Sequence, residues 1–270
     1  MQLIDHYPID WEQQTISSVR AWFRHERSPH VYLLLDAAFR HETVLPIIRG
    51  LFKETHWRSL YQDSPNTSER VLAISPLLLH ITEGNLQTLQ CLQEATEGNP
   101  MLSMIVSCES MEQLWQRLSA FRLVTIHDER YVLRLSDTRR LPQIVSMLTP
   151  AQKSHLTGGM LSWSYIGRDG LWKTLELDVQ PMTLSPRLSE PLKLNDQQIT
   201  TLLDMNRIDT LIDALRLNEP ALFKAFEKPS ARYDWIEKTL NSTALPVETY
   251  AEQLECCRQS APHAGMNDGA

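Results

Sequence analysis

YVLRLSDTRRL, residues 131–141, runs a strand-like alternation straight into a knot of charges and then toward a helix. Tyr131, Leu133 and Leu135 fall on one face of an extended chain, and Val132, Arg134 and Ser136 on the other, because successive side chains point to opposite sides. The alternation therefore sets Arg134 at the end of a strand, with Asp137, Arg139 and Arg140 close behind. A bidentate contact between Arg134 and Asp137 is expected to fix this strand-to-helix corner. Ion pairs of this kind exist without chemistry, so the corner is readable as structure alone.

Working upstream, Leu123 to Leu135 reads as a hairpin turning around His127-Asp128-Glu129, its second strand carrying Arg134. Before it, Ser110 and Gln113 have capping-box spacing, and Leu114, Trp115, Leu118 and Phe121 follow at helical intervals, which predicts a helix packed on a sheet. VYLLL (31–35), VLAISPLLL (71–79) and MLSMIV (101–106) are short continuous apolar runs, the pattern of strands buried on both faces. Helices are expected between them over Glu42–Leu60 and Asn85–Thr96. Downstream, Thr149-Pro150-Ala151-Gln152 combines an N-cap, a first-turn proline and a reciprocal glutamine. Gly158-Gly159 ends that helix, and Leu161 to Leu177 reads as a second hairpin with Asp169-Gly170 at its turn. Trp163, Tyr165 and Trp172 lie on its arms. They either close the edge of a core or form an aromatic docking patch, since aromatic residues concentrate at interface centres.

DVQPMTLSPRLSEP (178–191) breaks the periodicity, and from Asn195 onward every segment has helical spacing. The fold class expected is α/β: an N-terminal domain (1–180) with a mostly parallel or mixed sheet plus hairpins, a linker (181–194), a small all-helical lobe (195–258) and a disordered tail (259–270).

At 270 residues with 42% hydrophobic and 22% charged residues, the chain has the composition of a globular protein of one or two domains. A net charge of -7 argues against nucleic-acid binding through a broadly basic surface. No apolar run reaches the roughly 20 residues that span a bilayer, and MQLIDHYPID lacks the basic start and apolar centre of a secretory signal, so a cytoplasmic protein with no membrane partner is expected. The four cysteines, Cys91, Cys108, Cys256 and Cys257, have no metal or disulfide-framework spacing.

No local signature of catalysis is present. His25-Glu26 and His30 miss the zincin spacing by one residue, which swings the second imidazole off the face of the first, and Leu45 stands where His41-Glu42 would need a second histidine. There is no GxSxG elbow, no phosphate loop and no GxGxxG. His80, His127 and His155 are left for the fold to place. The expectation is no catalytic residue, no metal and no cofactor.

Taken in order, VYLLLDAAF (31–39), the Ser75-Pro76 run, LWQRLSAFRLV (114–124), YVLRLSDTRRL (131–141), LTPAQKSHLTGG (148–159) and a later helical lobe resemble the type VI secretion effector chaperones, or adaptors, grouped as domain of unknown function 4123. On that resemblance Asp36 matches the acid of the family's first strand, and Arg134, Asp137 and Arg139 match the charged residues of its "FRFYDPR" mark. Ala37 stands for a glycine there, Ser136 for a tyrosine and Thr138 for a proline.

The resemblance implies a non-enzymatic role: binding a cognate toxin effector in the cytoplasm and loading it onto the VgrG spike. Partner-binding residues expected on this basis are Arg134, Asp137, Arg139, Trp163, Tyr165 and Trp172. The two alternatives are an enzyme with an unmarked cleft and a module for oligomerisation or scaffolding.

Overall fold

A computed structural model describes residues 2–64, 67–177, 191–242 and 249–261. In chain order the first part comprises α1 (Trp11–Phe23), β1 (His30–Asp36), α2 (Val44–Leu51), β2 (Trp57–Ser59), α3 (Glu69–Ala73), β3 (Pro76–Ile81), α4 (Thr88–Thr96) and β4 (Leu102–Ser107). Next come α5 (Met111–Ala120), the hairpin β5 (Leu123–Ile126) and β6 (Glu129–Val132), α6 (Leu141–Met147), α7 (Pro150–Thr157), β7 (Met160–Ile166) and β8 (Trp172–Thr174). The remainder is β9 (Leu192–Lys193) and five helices, α8 (Asp196–Asp204), α9 (Arg207–Asn218), α10 (Pro220–Lys224), α11 (Pro229–Asn241) and α12 (Tyr250–Gln259).

Six strands form one sheet in the order β2-β3-β1-β4-β7-β8. Every pairing in it is antiparallel. This corrects the expectation of a mostly parallel sheet; only the small sheet, order β6-β5-β9, is mixed, with β9 parallel to β5. The physical reason is that a continuous apolar run reports burial on two faces and carries no information on strand direction.

In β1, Val31, Leu33 and Leu35 enter a core covered by α1, α2 and α4, while Tyr32 and Leu34 enter a second core covered by α5, α6 and α7. Each such aliphatic side chain contributes about 1.5–3 kcal/mol on full burial, so the central strands are the main stabilising layer.

Local signals hold where they depend on neighbours in sequence. Ser110 with Gln113 and Thr149 with Gln152 both close reciprocal capping boxes at the starts of α5 and α7. The first hairpin turns on His127 and Asp128, both with positive φ (48° and 67°), the backbone of a two-residue type I′ turn. Other expectations fail at long range. The helix expected over Glu42–Leu60 stops at Leu51, and Trp57 and Ser59 pair instead with Leu79 and Leu77 as an edge strand. The strand expected from Val71 begins at Pro76, after the short α3 that Ser68 caps.

Residues 178–190 of the stretch read as a linker, and the tail from 262, lie outside the described residues. At the described end of that stretch, Leu192–Lys193 pair with Val124 and Thr125. Leu202 and Met205, at the C-terminal end of α8, pack on the second core, whereas Ile208, Leu211, Leu215, Ile236, Leu254 and Cys257 of the following helices build a third.

The N-terminal arm ties these parts together. The Leu3 amide donates to the Gly98 carbonyl at 2.8 Å and the Asp5 amide to the Arg168 carbonyl at 2.9 Å. The Asp5 carboxylate accepts from the Ser230 amide (3.0 Å) and hydroxyl (2.6 Å), so one short segment touches the α4–β4 loop, the β7–β8 loop and α11 at once.

Candidate functional site

An open cleft of about 540 Å³ lies between the β5–β6 hairpin, the 133–140 corner and α8. Its walls include Ile126, Tyr131, Val132, Ile199, Leu202 and Leu203. Tyr131 is 45% exposed, Val132 54% and Leu203 71%. Large apolar side chains left in water together on facing elements mark an interaction surface more than isolated ones do. Among the described residues β6 is an edge strand of its sheet, exposed along its length.

The corner itself is built from two separate ion pairs. β6 ends at Val132, so Arg134 lies beyond the strand expected to carry it. Its Nη2 donates to Asp36 Oδ2 at 2.8 Å, and its guanidinium stands 4.9 Å from the Phe39 ring. Asp36 Oδ2 also accepts from the Ser136 hydroxyl at 2.9 Å, and Oδ1 from the Ala38 amide at 3.1 Å. Asp137 instead receives Arg139 in two-pronged fashion, Nε at 3.1 Å and Nη2 at 2.9 Å. The corner expected between Arg134 and Asp137 is thus corrected: Arg139 closes on Asp137, and Arg134 reaches back across the fold to the end of β1.

Behind this corner sits Asp209 of α9. It meets Arg139 at 3.5 Å, Arg140 at 2.6 Å and Arg168, from the β7–β8 loop, at 2.9 Å. Burial pushes the Asp209 carboxyl up, but the Arg168 hydrogen bonds and the three positive charges outweigh it and hold it below the ordinary aspartate value. Arg140 also donates to the Met205 carbonyl, and Arg168 stacks 3.7 Å from the Tyr233 ring. Asp209, Arg140 and Arg168 were missing from the expected site. The Arg139-Arg140 pair in the sequence was the available signal; Asp209 has none, because its partners are remote in the chain.

The aromatic residues do not converge on the cleft. Trp163 is fully buried in the second core and its indole donates to Ser103 Oγ at 3.1 Å, while the half-buried Tyr165 packs at the same core's margin. Trp172 lies on the opposite face of the sheet, 5.9 Å from the Trp11 ring, donating to Thr15 Oγ1 at 2.9 Å. Arg134, Asp137 and Arg139 line the cleft; Trp163, Tyr165 and Trp172 do not.

Three histidines meet elsewhere, at one end of the main sheet. The His80 ring is 5.2 Å from His30, 5.9 Å from His56 and 5.1 Å from Tyr32. Burial, then the neighbouring His30 and His56, push the His80 imidazole down to about 4. An imidazole whose folded pKa lies below its unfolded value is favoured neutral, so the unfolded chain binds the extra proton. Stability from this group is full above pH 6.5 and is lost as pH falls toward 4. Urea unfolding at neutral and mildly acidic pH is expected to show this loss, and His80→Gln to flatten it; an unchanged slope would place the acid sensitivity elsewhere.

Among the described residues no group of three or more His, Cys, Asp or Glu is disposed to hold a metal ion, and no helix is long and apolar enough to cross a membrane. Cys91, Cys108, Cys256 and Cys257 are free thiols, and burial pushes that of Cys257 up to about 11.

Residues 31–155 match the family model described as a domain of unknown function (DUF4123). The match runs from β1 into α7 and so takes in Asp36, the β5–β6 hairpin and the whole 133–140 corner, but not α8 or Asp209. No curated protein and no solved structure matches the chain.

Proposed function

We propose that this chain is a non-enzymatic adaptor that holds a cognate type VI secretion effector in the bacterial cytoplasm and promotes its loading onto the VgrG spike. The observation that carries the reading is the open cleft, whose apolar walls are exposed and whose corner holds Asp36, Arg134, Asp137 and Arg139, the residues placed by the resemblance to effector chaperones. The matched family segment supplies one wall of that cleft and α8 the other. A surface of this kind suits capture of a polypeptide, with apolar area for affinity and fixed charges for register. Trp163 belongs to the core in this reading, and Arg134 is the residue of the expected set that faces a partner.

Co-expression tests it. The chain and each toxin encoded beside its gene are produced together; one toxin is expected to gain soluble yield and to co-elute with the chain on gel filtration. Separate elution of every such toxin at micromolar concentration would remove the adaptor reading.

A further inference from the structure

We infer that the β6–α8 cleft takes an aliphatic stretch of a partner polypeptide bearing a carboxylate, and that Arg134 is the receptor for that carboxylate. This rests on the adaptor reading for the existence of a protein partner, and adds what that partner must present.

Charge complementarity decides the chemistry. The lining carries Arg134, Arg139 and Arg140 against one carboxylate, Asp137. Arg139 and Arg140 are turned to Asp137 and Asp209 and are nearly buried. Arg134 differs: its side chain is 43% exposed, and its hydrogen bonding to described residues is the one Nη2 contact with Asp36. A guanidinium has five N–H donors in a planar fork, and the Asp36 contact engages one of them on a side chain that lines the cleft. Asp36 is itself shared, with Oδ2 accepting from Arg134 and Ser136 and Oδ1 from Ala38. The Phe39 ring and the Asp36 contact together hold the fork in one orientation, and a planar fork held still fits a carboxylate edge-on. A lysine or arginine in the same place would meet repulsion.

The walls decide the rest. Tyr131, Val132 and Leu203 bring their exposed apolar surface to the same opening as Arg134. Burying a leucine-sized side chain there strengthens binding roughly tenfold or more, and a charge-assisted hydrogen bond adds about as much. An acidic segment without aliphatic flanks, or an aliphatic one without an acid, leaves half of the site unmatched.

The test selects short random peptides by display on the immobilised full-length chain and measures the enriched ones by fluorescence polarisation. Enriched peptides are expected to carry aspartate or glutamate flanked by leucine, isoleucine or valine. Replacing the acid by its amide is expected to weaken binding to the wild type by about tenfold, and to have little effect on binding to Arg134→Met. Leu203→Gln, which leaves both corner ion pairs intact, is expected to weaken binding about tenfold as well, so the inference does not hang on a variant that disturbs Asp36.

Failure to enrich any peptide, enrichment without acidic residues, or binding indifferent to both substitutions would overturn it. So would self-association of the free chain on sedimentation that Leu203→Gln abolishes, because a second copy would then be the occupant. Undiminished co-elution of a toxin with the Leu203→Gln chain would remove the cleft and leave the adaptor role standing. Peptide binding as described without any co-eluting toxin would keep the cleft and remove the role.

Discussion

Replacing Asp209 with alanine is expected to destabilise the protein by about 3–5 kcal/mol, because breaking a buried ion pair from one side strands the charges left behind. Asp209 meets Arg139, Arg140 and Arg168 with side-chain exposures of 11–17% around the cluster. Arg139 keeps Asp137 after the substitution and Arg140 keeps the Met205 carbonyl, but Arg168 is left with the Tyr233 ring and no carboxylate. For a chain of this size the loss corresponds to a fall in melting temperature on the order of 10 °C, read by calorimetry.

The pH dependence has a definite sign. A carboxyl held below its unfolded value contributes stability above that value and loses it as pH drops through the folded pKa. Acid unfolding of the wild type should therefore steepen below about pH 4, the ordinary aspartate range, and Asp209→Asn should show a shallower acid limb from a lower starting stability. A melting temperature within a degree or two of wild type would mean that water screens the cluster.

Glu109→Ala should cost a similar amount, about 3–5 kcal/mol, for the same reason in a drier place. Glu109 and Arg117 are both buried, with Arg117 Nε donating to Glu109 Oε2 at 2.9 Å. Arg117 also donates to the His155 carbonyl, so the pair ties α5 to the end of α7. Gly159, at φ +82°, lies so close that a Cβ there would stand 3.0 Å from the Glu109 Cδ, which is why glycine occupies the turn between α7 and β7. Removing both charges together, as in Glu109→Leu with Arg117→Met, is expected to recover most of the loss, since apolar replacement of a whole buried pair is often neutral. Double-mutant analysis by chemical denaturation gives the coupling directly; additive single effects would show that the two side chains act independently.

What was readable in the sequence divides along the range of the interaction. Ser110 with Gln113, Thr149 with Gln152, and the His127-Asp128 turn are contained within a few residues, and each forms where spacing predicts. The 131–141 stretch held the right residue types for a charged corner. It could not show that Arg134 pairs with Asp36 rather than with Asp137, because those two arrangements present the same local pattern. Asp209 was invisible for a stronger reason: an aspartate in the first turn of a helix is favoured there by the helix dipole alone, so nothing in RIDTLID sets it apart. Strand direction was lost similarly. VYLLL records two covered faces, and both a parallel and an antiparallel sheet satisfy that demand. The second wall of the cleft had a trace in Leu202 and Leu203, adjacent leucines of which one packs inward and the other stays in water.

The stretch spanned by the family model does not contain its own lid. Trp11 and Val19 of α1, which roof the inner strands from one side, precede it, and β7, which hydrogen-bonds the open flank of β4, follows it. Cutting the gene at those limits would leave β4 with a bare backbone edge and the roofed side of the central strands wet, a fragment suited to precipitation rather than to study. Deletion mapping of any binding activity is therefore better done by point substitution within the intact chain than by trimming.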